Sequence, residues 1–405
     1  MSAKKSPRFY IASEESILRG DVTDVYFLRA REVLSRISAS EKLVTADVHS
    51  YGFPEGYGWA VLAGVEEVVK LLEGRKVDVY SMNEGELFRA YEPVMEIRGP
   101  YINFGVYESA ILGILRHGTS VATKAARIKL HALDKSVIFF GIRCVHPAIT
   151  PFIDRAAFIG GCDGVSGVLG ASMIGEKPTG TMPHALILVA GDQKLAWKAF
   201  DQVMPSDVPR IALCDTFLDE REESLLAAET LGERLHGVRL DTPGSRRGNM
   251  RQIAQEVRWA LNLRGYRNVK ILISGGIDED DIVKLHGVAD GFGVGTSIAF
   301  PKSIDLALDI VEVDDKPISK RGKLPGSKQV YRCPNLHDAI TPKTRVLEKC
   351  PKCGAPVKPL IHQIIRQGEL VVDIPSPREI RSRVLEYLEK IKSIEEFDPT
   401  PILIS

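Results

Sequence analysis

Two glycine-containing segments, ILISGGID and GFGVGTS, each end a short apolar run and could bind a phosphate group. Glycine lets the backbone approach a ligand closely, so successive N–H groups can converge on phosphate oxygens. One such segment could equally be an ordinary tight turn, but two of them on consecutive runs predict a phosphate site. The residues at these ends are Ser274, Gly275 and Gly276 in the first segment and Gly295 and Thr296 in the second.

An arginine and two aspartates also directly follow apolar runs. Arg143 follows VIFFGI, and its planar guanidinium could bind a carboxylate or a phosphate, although a surface ion pair would account for it as well. Asp215 and Asp241 close the runs RIALC and GVRL, where a carboxylate could bind sugar hydroxyls or stabilise developing positive charge. Arg246 and Arg247, in the turn after Asp241, are interpreted as solvated.

Two histidines could take part in proton or phosphoryl transfer. His184 lies in TGTMPH, where Thr181 adds a hydroxyl group, and it could exchange a proton or accept a phosphoryl group. His146 follows Arg143 by three positions and precedes a proline. His146 could equally be a packed or capping histidine, and a lone histidine at a strand edge, such as His184, is more often structural, so spacing alone leaves both roles open.

The elements that must position these residues alternate between about residues 118 and 300. Apolar runs, among them 137–142, 185–191 and 269–273, are predicted strands, and amphipathic stretches such as 249–263 are predicted helices. This alternation predicts a parallel sheet with both faces covered. Because a polar residue follows nearly every run, as at the catalytic rim of barrel enzymes, an α/β barrel is favoured over a doubly wound sheet.

The flanking segments differ in pattern from this central part. Residues 1–117 mix helical and strand patterns and are predicted to form an α+β domain, and residues 118–300 are predicted to form the barrel. Residues 301–405 form a third region, which contains the basic stretch SKRGKLPGSKQVYR and a terminal helix with a capping box from Ser376.

A cysteine cluster in the third region has the spacing of a metal site. Cys350 and Cys353 form a C-x₂-C knuckle, and Cys333 lies 17 residues earlier with His337 four positions after it. Four such ligands can close a tetrahedral Zn²⁺ site, which would be structural because no position is left open for a substrate. The sequence leaves open whether His337 or another donor is the fourth ligand.

Composition excludes several classes of protein. The 405 residues contain 53 Lys and Arg and 53 Asp and Glu, so the chain lacks the basic excess of a typical nucleic-acid-binding protein. No apolar run reaches the roughly 18–20 residues that a membrane helix needs. The polar, basic start at residues 1–8 has no apolar segment behind it and does not resemble a secretory signal. A cytoplasmic enzyme without nucleic-acid or membrane partners is therefore expected.

The chain resembles nicotinate phosphoribosyltransferases in their shorter archaeal-type form. Ten segments carry the resemblance in order from about Asp21 to Arg332: TDVYF, EPVMEIRGPY, ATKAARI, GIRCVHP, DGVSGVLGASMIGEKPTGTMPHA, CDTF, GVRLDTPG, SGGID, GFGVGTS and GKLPGSKQVYR. The resemblance implies a truncated α/β barrel with an N-terminal open sandwich, in a homodimer or larger homo-oligomer. It also implies phosphoribosyl transfer from phosphoribosyl pyrophosphate to nicotinate, giving nicotinate mononucleotide and pyrophosphate, with ATP hydrolysis assisting.

The resemblance further implies roles for individual residues. Arg143 would bind the nicotinate carboxylate, and Tyr26 would stack on the pyridine ring across the dimer interface. His184 would accept a phosphoryl group from ATP, and Asp241 would contact the ribose hydroxyls. Catalysis would consist mostly of positioning and charge stabilisation. The further binding residues would be Gly275, Gly276, Gly295 and Thr296 at the 5′-phosphate, Lys320, Arg321, Lys323 and Lys328 at the pyrophosphate with its Mg²⁺, and His146, Ser166, Thr181, Asp215 and Ser274 elsewhere in the pocket.

Other functions stay open beside this one. The nicotinamide-using relatives carry an aspartate after their GT, where this chain has Met182, and an aspartate would repel a carboxylate substrate. Quinolinate, a dicarboxylate, would call for a denser set of cations. A third possibility is a zinc-containing module that binds nucleic acid or protein on an inactive barrel. The basic stretch motivates it, and the neutral total charge argues against it.

Overall fold

The computed structural model describes residues 8–37, 39–132, 134–246, 248–394 and 397–405. Its contacts divide the chain into two compact units. Unit 1 comprises Met1–Ser120, Lys302–Ser376 and Ile394–Ser405, and unit 2 comprises Val121–Pro301 and Pro377–Ser393. Residues 302–376, which the sequence pattern set apart as a third region, therefore share a unit with the N-terminal segment.

Both units mix helices and strands. The helices are α1 (Glu14–Arg19), α2 (Val25–Arg36), α3 (Val65–Leu72), α4 (Glu108–Ala132), α5 (Thr150–Ile159), α6 (Val168–Met173), α7 (His184–Ala190), α8 (Gln193–Val203), α9 (Glu220–Leu231), α10 (Met250–Leu263), α11 (Glu279–Leu285), α12 (Thr296–Ala299) and α13 (Pro377–Ser393). The strands are β1 (Leu43–His49), β2 (Ala60–Val61), β3 (Asp78–Ser81), β4 (Leu87–Phe88), β5 (Pro93–Pro100), β6 (Ser136–Phe139), β7 (Gly164–Val165), β8 (Ile211–Leu213), β9 (Gly237–Leu240), β10 (Lys270–Ile273), β11 (Gly291–Val294), β12 (Ala307–Val313), β13 (Lys316–Pro317), β14 (Lys328–Arg332), β15 (Asp338–Pro342), β16 (Lys358–Pro359), β17 (His362–Arg366), β18 (Glu369–Leu370) and β19 (Ile402–Leu403).

Unit 1 is built on a seven-stranded antiparallel sheet with the strand order β13-β12-β1-β5-β3-β17-β18. The central strand β1 alternates apolar and polar side chains, and both sets are buried. They are Val44, Ala46 and Val48 on one face and Thr45, Asp47 and His49 on the other. The apolar face joins the hydrophobic core of the unit. On the polar face Asp47 accepts a hydrogen bond from Lys328 of a second sheet, which has the order β16-β14-β15-β19.

Unit 2 contains a six-stranded sheet with the order β7-β6-β11-β10-β9-β8, and every pair in it is parallel. The sheet is a curled half-barrel within a mixed α/β fold, so the predicted parallel sheet is confirmed. The helix predicted over 249–263 is confirmed as α10, with Val257 and Leu261 fully buried. Because all six strands run in one direction, the residues that follow them meet at one edge of the sheet.

One predicted strand is wrong. The apolar run at 185–191 forms helix α7, which ends at Gly191 with a backbone φ of 73°. Ile187 is buried, whereas Leu188 and Val189 are exposed, so only one side of this helix is buried. A continuous apolar run of this length does not distinguish a buried strand from a helix, and Ala and Leu favour the helix.

Helix α13 confirms the predicted terminal helix and completes unit 2. Its apolar side, including Ile380, Val384 and Leu388, is buried. Arg381 lies along the end of α5, where its Nε donates to the carbonyl oxygen of Cys162 at 2.8 Å. A cation there interacts favourably with the carboxyl end of the α5 dipole.

Candidate active site and candidate metal site

A cavity of about 850 Å³ lies in unit 2 at the carboxyl ends of β6, β7, β9, β10 and β11. Most of the predicted site residues of this unit line it, and they come from separate strand ends. They are Arg143, Ser166, Thr181, His184, Asp241, Ser274, Gly275, Gly276, Gly295 and Thr296. The buried side chain of Met182 also contacts this space. One cavity thus gathers residues that are up to about 150 positions apart in the sequence.

Two predicted residues lie beside the cavity rather than on its wall. Asp215 is buried behind His184, as described below. His146 is exposed, and its Nδ1 accepts a hydrogen bond from the backbone N–H of Ala148, so it caps a short 3₁₀ turn. Arg246 is exposed in a turn, and Arg247 lies outside the described residues.

His184 is held between two carboxylates at the start of α7. Its Nε2 lies 3.0 Å from Asp215 Oδ1, and its Nδ1 lies 4.0 Å from Asp241 Oδ2. Burial raises the pKa of Asp215, and hydrogen bonding with His184 and Thr242 opposes that rise. A carboxylate bonded to one imidazole nitrogen fixes the ring and makes the other nitrogen a better base or phosphoryl acceptor.

Arg239, which no sequence pattern singles out, lies at the centre of this network. Its guanidinium donates to Ser274 Oγ and Thr181 Oγ1 at 2.9 Å each, and it forms an ion pair with Asp241 Oδ2 at 2.8 Å. Ser274 Oγ in turn donates to Asp241 Oδ1 at 2.5 Å. Within GVRLD, Arg239 and Asp241 are two positions apart and therefore lie on the same face of the strand, which is the signal that could have revealed the arginine.

The glycines of the two loops let the backbone follow paths that side chains would block. Gly275 and Gly276 have φ angles of 88° and 72°, and a Cβ on Gly275 would lie 2.6 Å from the Asp241 carbonyl oxygen. A Cβ on Gly293 would lie 2.5 Å from the ring of Phe140, which lines the cavity beneath the Arg239 guanidinium. The loops therefore fit the predicted close approach of backbone to a ligand.

Arg143 differs from Arg239 in that its charge is not neutralised. Its side chain is exposed on the cavity wall, and among the described residues no acidic side chain lies within ion-pair distance of it. Arg239, by contrast, is paired with Asp241 at 2.8 Å. Arg143 can therefore bind an anionic group of a ligand without first breaking an internal ion pair.

The predicted basic residues of unit 1 are mostly engaged in ion pairs. Lys320 and Lys323 both contact the carboxylate of Asp309 at 3.2 Å, and Lys328 lies 2.8 Å from Asp47. Lys320 is largely exposed, whereas the Lys328 side chain is only 11% exposed. Arg321 is exposed, and so is Tyr26, on α2.

The four predicted metal ligands meet in unit 1. The ligand atoms of Cys333, His337, Cys350 and Cys353 all lie within 4.8 Å of one another. Cys353 Sγ is 3.7 Å from Cys333 Sγ, and Cys350 Sγ is 3.7 Å from His337 Nδ1. Such separations suit ligands about 2.0–2.3 Å from one tetrahedral Zn²⁺ ion. The cluster can hold a metal, and its sulfur and imidazole donors are those that zinc prefers.

Buried ion pairs hold both ends of the segment from Cys333 to His337, which carries two of the four candidate metal ligands. Arg332 precedes Cys333 and donates to Glu86 Oε1 at 2.8 Å and to Asp338 Oδ1 at 2.7 Å. Asp338 follows His337 and also contacts Arg89, which reaches the carbonyl oxygen of Leu336 as well. Because these side chains are almost fully buried, each charge depends on its partner.

Comparison with known proteins identifies the family of the chain. Residues 24–119 match the N-terminal domain of quinolinate phosphoribosyl transferase, and residues 121–309 match its C-terminal domain. A nicotinate-nucleotide pyrophosphorylase from Pyrococcus furiosus is 57% identical, with a TM-score of 0.94 over 96% of this chain and 100% of that chain. The chain belongs to the quinolinate phosphoribosyl transferase family.

Two further proteins are similar over most of the chain, and the solved structure of one of them shows the same fold. Human nicotinic acid phosphoribosyltransferase is 21% identical, with a TM-score of 0.77 over 91% of this chain and 94% of that chain. Nicotinate phosphoribosyltransferase from Bacillus subtilis is 28% identical over 361 residues, which cover 77% of this chain and 73% of the relative. Both family domains end before the metal cluster at 333–353. In this family member, none of the described helices combines the length and apolarity needed to cross a membrane.

Proposed function

We propose that the protein transfers the phosphoribosyl group of phosphoribosyl pyrophosphate to nicotinate in NAD biosynthesis, with ATP hydrolysis assisting. The observation that carries this proposal is the set of residues around one cavity. Two glycine loops suited to a phosphate, a histidine held between carboxylates, and the unneutralised Arg143 all line or adjoin the same space. Two of the named relatives, from Bacillus subtilis and human, are nicotinate phosphoribosyltransferases and support the same reaction.

The reaction needs positioning and electrostatic stabilisation more than proton transfer. The loops at Gly275–Gly276 and Gly295–Thr296 bind the 5′-phosphate, and Asp241 binds the ribose hydroxyls and stabilises the oxocarbenium character of the sugar. Arg143 binds the nicotinate carboxylate. The ring of Phe140 lies on the cavity wall and offers an apolar face to the pyridine.

The charge balance of the cavity favours nicotinate over quinolinate. Quinolinate carries two carboxylates, so it calls for two available cations. Among the described residues two arginines line the cavity; Arg239 is already paired with Asp241 at 2.8 Å, which leaves Arg143 for one carboxylate. Met182 lines the cavity without adding a charge that would repel the acid. The family models carry the name of the quinolinate enzyme, so this alternative is tested directly.

The phosphoryl acceptor in the ATP-assisted step is His184. Its bond to Asp215 through Nε2 leaves Nδ1 on the side of Asp241. In the cavity this is the nitrogen that a phosphoryl group would reach. Mg²⁺ accompanies the pyrophosphate, because this ion binds mainly through substrate phosphates and water rather than a protein cage. Tyr26, Lys320, Arg321 and Lys323 are assigned to the pyridine and pyrophosphate of a second copy, as the family resemblance implies. The metal cluster holds a structural Zn²⁺.

The deciding experiment compares three pyridines. The protein is incubated with phosphoribosyl pyrophosphate, Mg²⁺ and nicotinate, quinolinate or nicotinamide, with and without ATP, and the mononucleotide products are separated chromatographically. We expect nicotinate to give the highest kcat/KM and ATP to increase it. Faster turnover of quinolinate or nicotinamide would reject the assignment, and no product from any of the three would favour a binding module instead.

A histidine pair tests the role of His184. The His184→Ala variant is expected to keep slow basal turnover of nicotinate but to lose the stimulation by ATP. The matched control is His236→Ala, because His236 is exposed just before β9, at the end of the strand away from the cavity. ATP stimulation that survives in His184→Ala would contradict the role.

A further inference from the structure

A buried lysine on α4 joins the two phosphate loops from outside the cavity. Lys124 is 9% exposed, and its Nζ donates to Asp278 Oδ1 at 2.6 Å and to Glu279 Oε1 at 2.9 Å. Asp278 ends the SGGID loop and lines the cavity, whereas Lys124 itself does not line it. Lys124 thus acts on the cavity through Asp278.

Asp278 is the point at which both loops meet. Its Oδ1 also accepts a hydrogen bond from Ser297 Oγ at 2.8 Å and from the backbone N–H of Glu279 at 2.6 Å. Ser297 directly follows Thr296 in the second loop and lines the cavity as well. A single carboxylate oxygen therefore connects residues 274–278 to residues 295–297, and Lys124 holds that oxygen in place.

The charge of Asp278 makes this lysine necessary for an anionic ligand. Partial burial raises the pKa of Asp278, but hydrogen bonds from Lys124, the Glu279 amide and Ser297 together hold the pKa below its ordinary value. The carboxylate is therefore ionised at neutral pH, and it lies on the wall of a cavity whose loops suit a phosphate dianion. Unless a cation neutralises it, it repels that dianion.

We propose that Lys124 is a positioning residue for the 5′-phosphate. It neutralises Asp278, and it holds the two loops at the spacing at which both can reach one phosphate group. This inference rests on the proposed function, since it concerns the phosphate subsite of the same cavity. It adds a residue that does not touch the substrate and that precedes both loops in the sequence, lying 154 positions before Asp278.

The first test replaces the cation without adding bulk. The Lys124→Met variant is expected to weaken binding of phosphoribosyl pyrophosphate by ~10- to 100-fold, the range for losing hydrogen bonds to a charged group. We expect kcat and the KM for nicotinate to change little. Lys124→Arg retains the charge and should bind phosphoribosyl pyrophosphate nearly as tightly as the wild type. If the methionine variant folds poorly, the arginine variant still tests the proposal.

The matched control is a second cation of the same cluster. Arg127 lies one turn further along α4 and donates to Glu279 Oε2 at 2.9 Å, and Glu279 does not line the cavity. Arg127→Met should therefore lower stability without changing the affinity for phosphoribosyl pyrophosphate. Equal losses of affinity in Arg127→Met and Lys124→Met would overturn the proposal, because both would then reflect general loosening of the helix.

A double variant separates charge from geometry. In Lys124→Met combined with Asp278→Asn, the repelling carboxylate is removed together with its cation, so the affinity should recover by at least several-fold relative to Lys124→Met alone. A double variant that binds no better than Lys124→Met would overturn the neutralising role. Unchanged affinity in Lys124→Met would overturn the proposal as a whole.

Calorimetric binding of phosphoribosyl pyrophosphate and of ribose 5-phosphate keeps this test separate from the proposed function. Neither measurement needs the pyridine substrate or turnover. If the wild type binds both compounds but forms no nicotinate mononucleotide, the proposed function fails while the role of Lys124 can still be measured. If Lys124→Met loses no affinity while the wild type turns over nicotinate, the inference fails alone.

Discussion

The two units of this protein use the same types of charged residue in opposite ways. In unit 1, Arg332 bonds to Glu86 and Asp338, and Lys328 bonds to Asp47, with all of these side chains nearly buried. In the cavity of unit 2, Arg143 is exposed, and no acidic residue among those described lies within ion-pair distance of it. A cation that is already paired stabilises the fold, whereas one without a partner is available to a ligand. Residue type alone does not distinguish the two.

The backbones of the two regions are also fixed by different means. The cavity loops use glycines with positive φ, such as Gly275 and Gly276, and are held from behind by Asp278. The segment from Cys333 to Cys353 instead gathers four side chains that could hold a metal. A bound metal would cross-link that segment, while the glycine loops keep their backbone accessible.

Loss of the metal is expected to have the largest effect. Cys350→Ser should remove the bound zinc and lower the free energy of unfolding by several kcal/mol, because structural zinc binding contributes directly to folding. Mass spectrometry measures the metal content, and thermal unfolding measures the loss of stability. Cys162→Ala, which alters a buried cysteine outside the cluster, should retain one zinc per chain. A Cys350→Ser protein that keeps both its zinc and its melting temperature would contradict the assignment.

The next largest effects separate two paired arginines, Arg332 in the interior of unit 1 and Arg239 on the cavity wall of unit 2. Arg332→Met should lower the free energy of unfolding by about 3–5 kcal/mol, because it leaves buried carboxylates without their partner. Arg239→Met should instead lower kcat/KM by ~1,000-fold, because Asp241 and Ser274 lose the group that orients them. Denaturant titration measures the free energy of unfolding, and initial rates measure kcat/KM. If Arg239→Met proves as unstable as Arg332→Met and keeps its activity, the distinction between the units is wrong.

A smaller effect is expected for the unpaired arginine. Arg143→Met should raise the KM for nicotinate by ~10- to 100-fold, the range for a charged hydrogen bond, and should leave the melting temperature unchanged. Steady-state rates at varied nicotinate concentration measure the first effect, and thermal unfolding measures the second. A fall in melting temperature of several degrees would indicate an internal partner for Arg143 and would contradict its assignment to the ligand.

The smallest expected effect is the pH dependence of stability that arises from His49 in unit 1. Burial lowers the pKa of His49 to about 4, with Lys328 and Lys323 acting in the same direction and Asp309 opposing them. Between pH 6.5 and 4 the unfolded chain therefore binds a proton that the folded chain does not, so stability falls as the pH falls. At pH 5.5 this loss is about 1 kcal/mol. Denaturant titrations at pH 7.5 and 5.5 should show that His49→Gln loses less stability than the wild type; equal losses would contradict the buried, neutral histidine.

Local sequence patterns predicted much of this structure. The parallel sheet, α10, α13 and the metal cluster each follow from spacing within a short segment, because periodicity and ligand spacing are local properties. The run at 185–191 was wrongly predicted as a strand, since its apolar residues fit either element and only the tertiary contacts select helix α7.

The parts that could not be predicted depend on distant partners. The sequence pattern, which places Lys328 at a pyrophosphate, does not show that this lysine pairs with Asp47, 281 positions away in the sequence. Arg239 was overlooked because an arginine inside a strand is usually a solvated residue, and its partners Thr181 and Ser274 come from other strand ends. No local pattern shows which charges will meet, so their roles follow only from the folded chain.

Helix α13 has a consequence for the order in which the protein is made. It belongs to unit 2, although the preceding 75 residues belong to unit 1. During synthesis, residues 121–301 emerge long before residues 377–393, which bury Ile380, Val384 and Leu388 and bring Arg381 to the end of α5. Unit 2, which carries the cavity, therefore has an uncovered apolar surface until its last helix has left the ribosome. A chain that stops before residue 377 would leave that surface exposed.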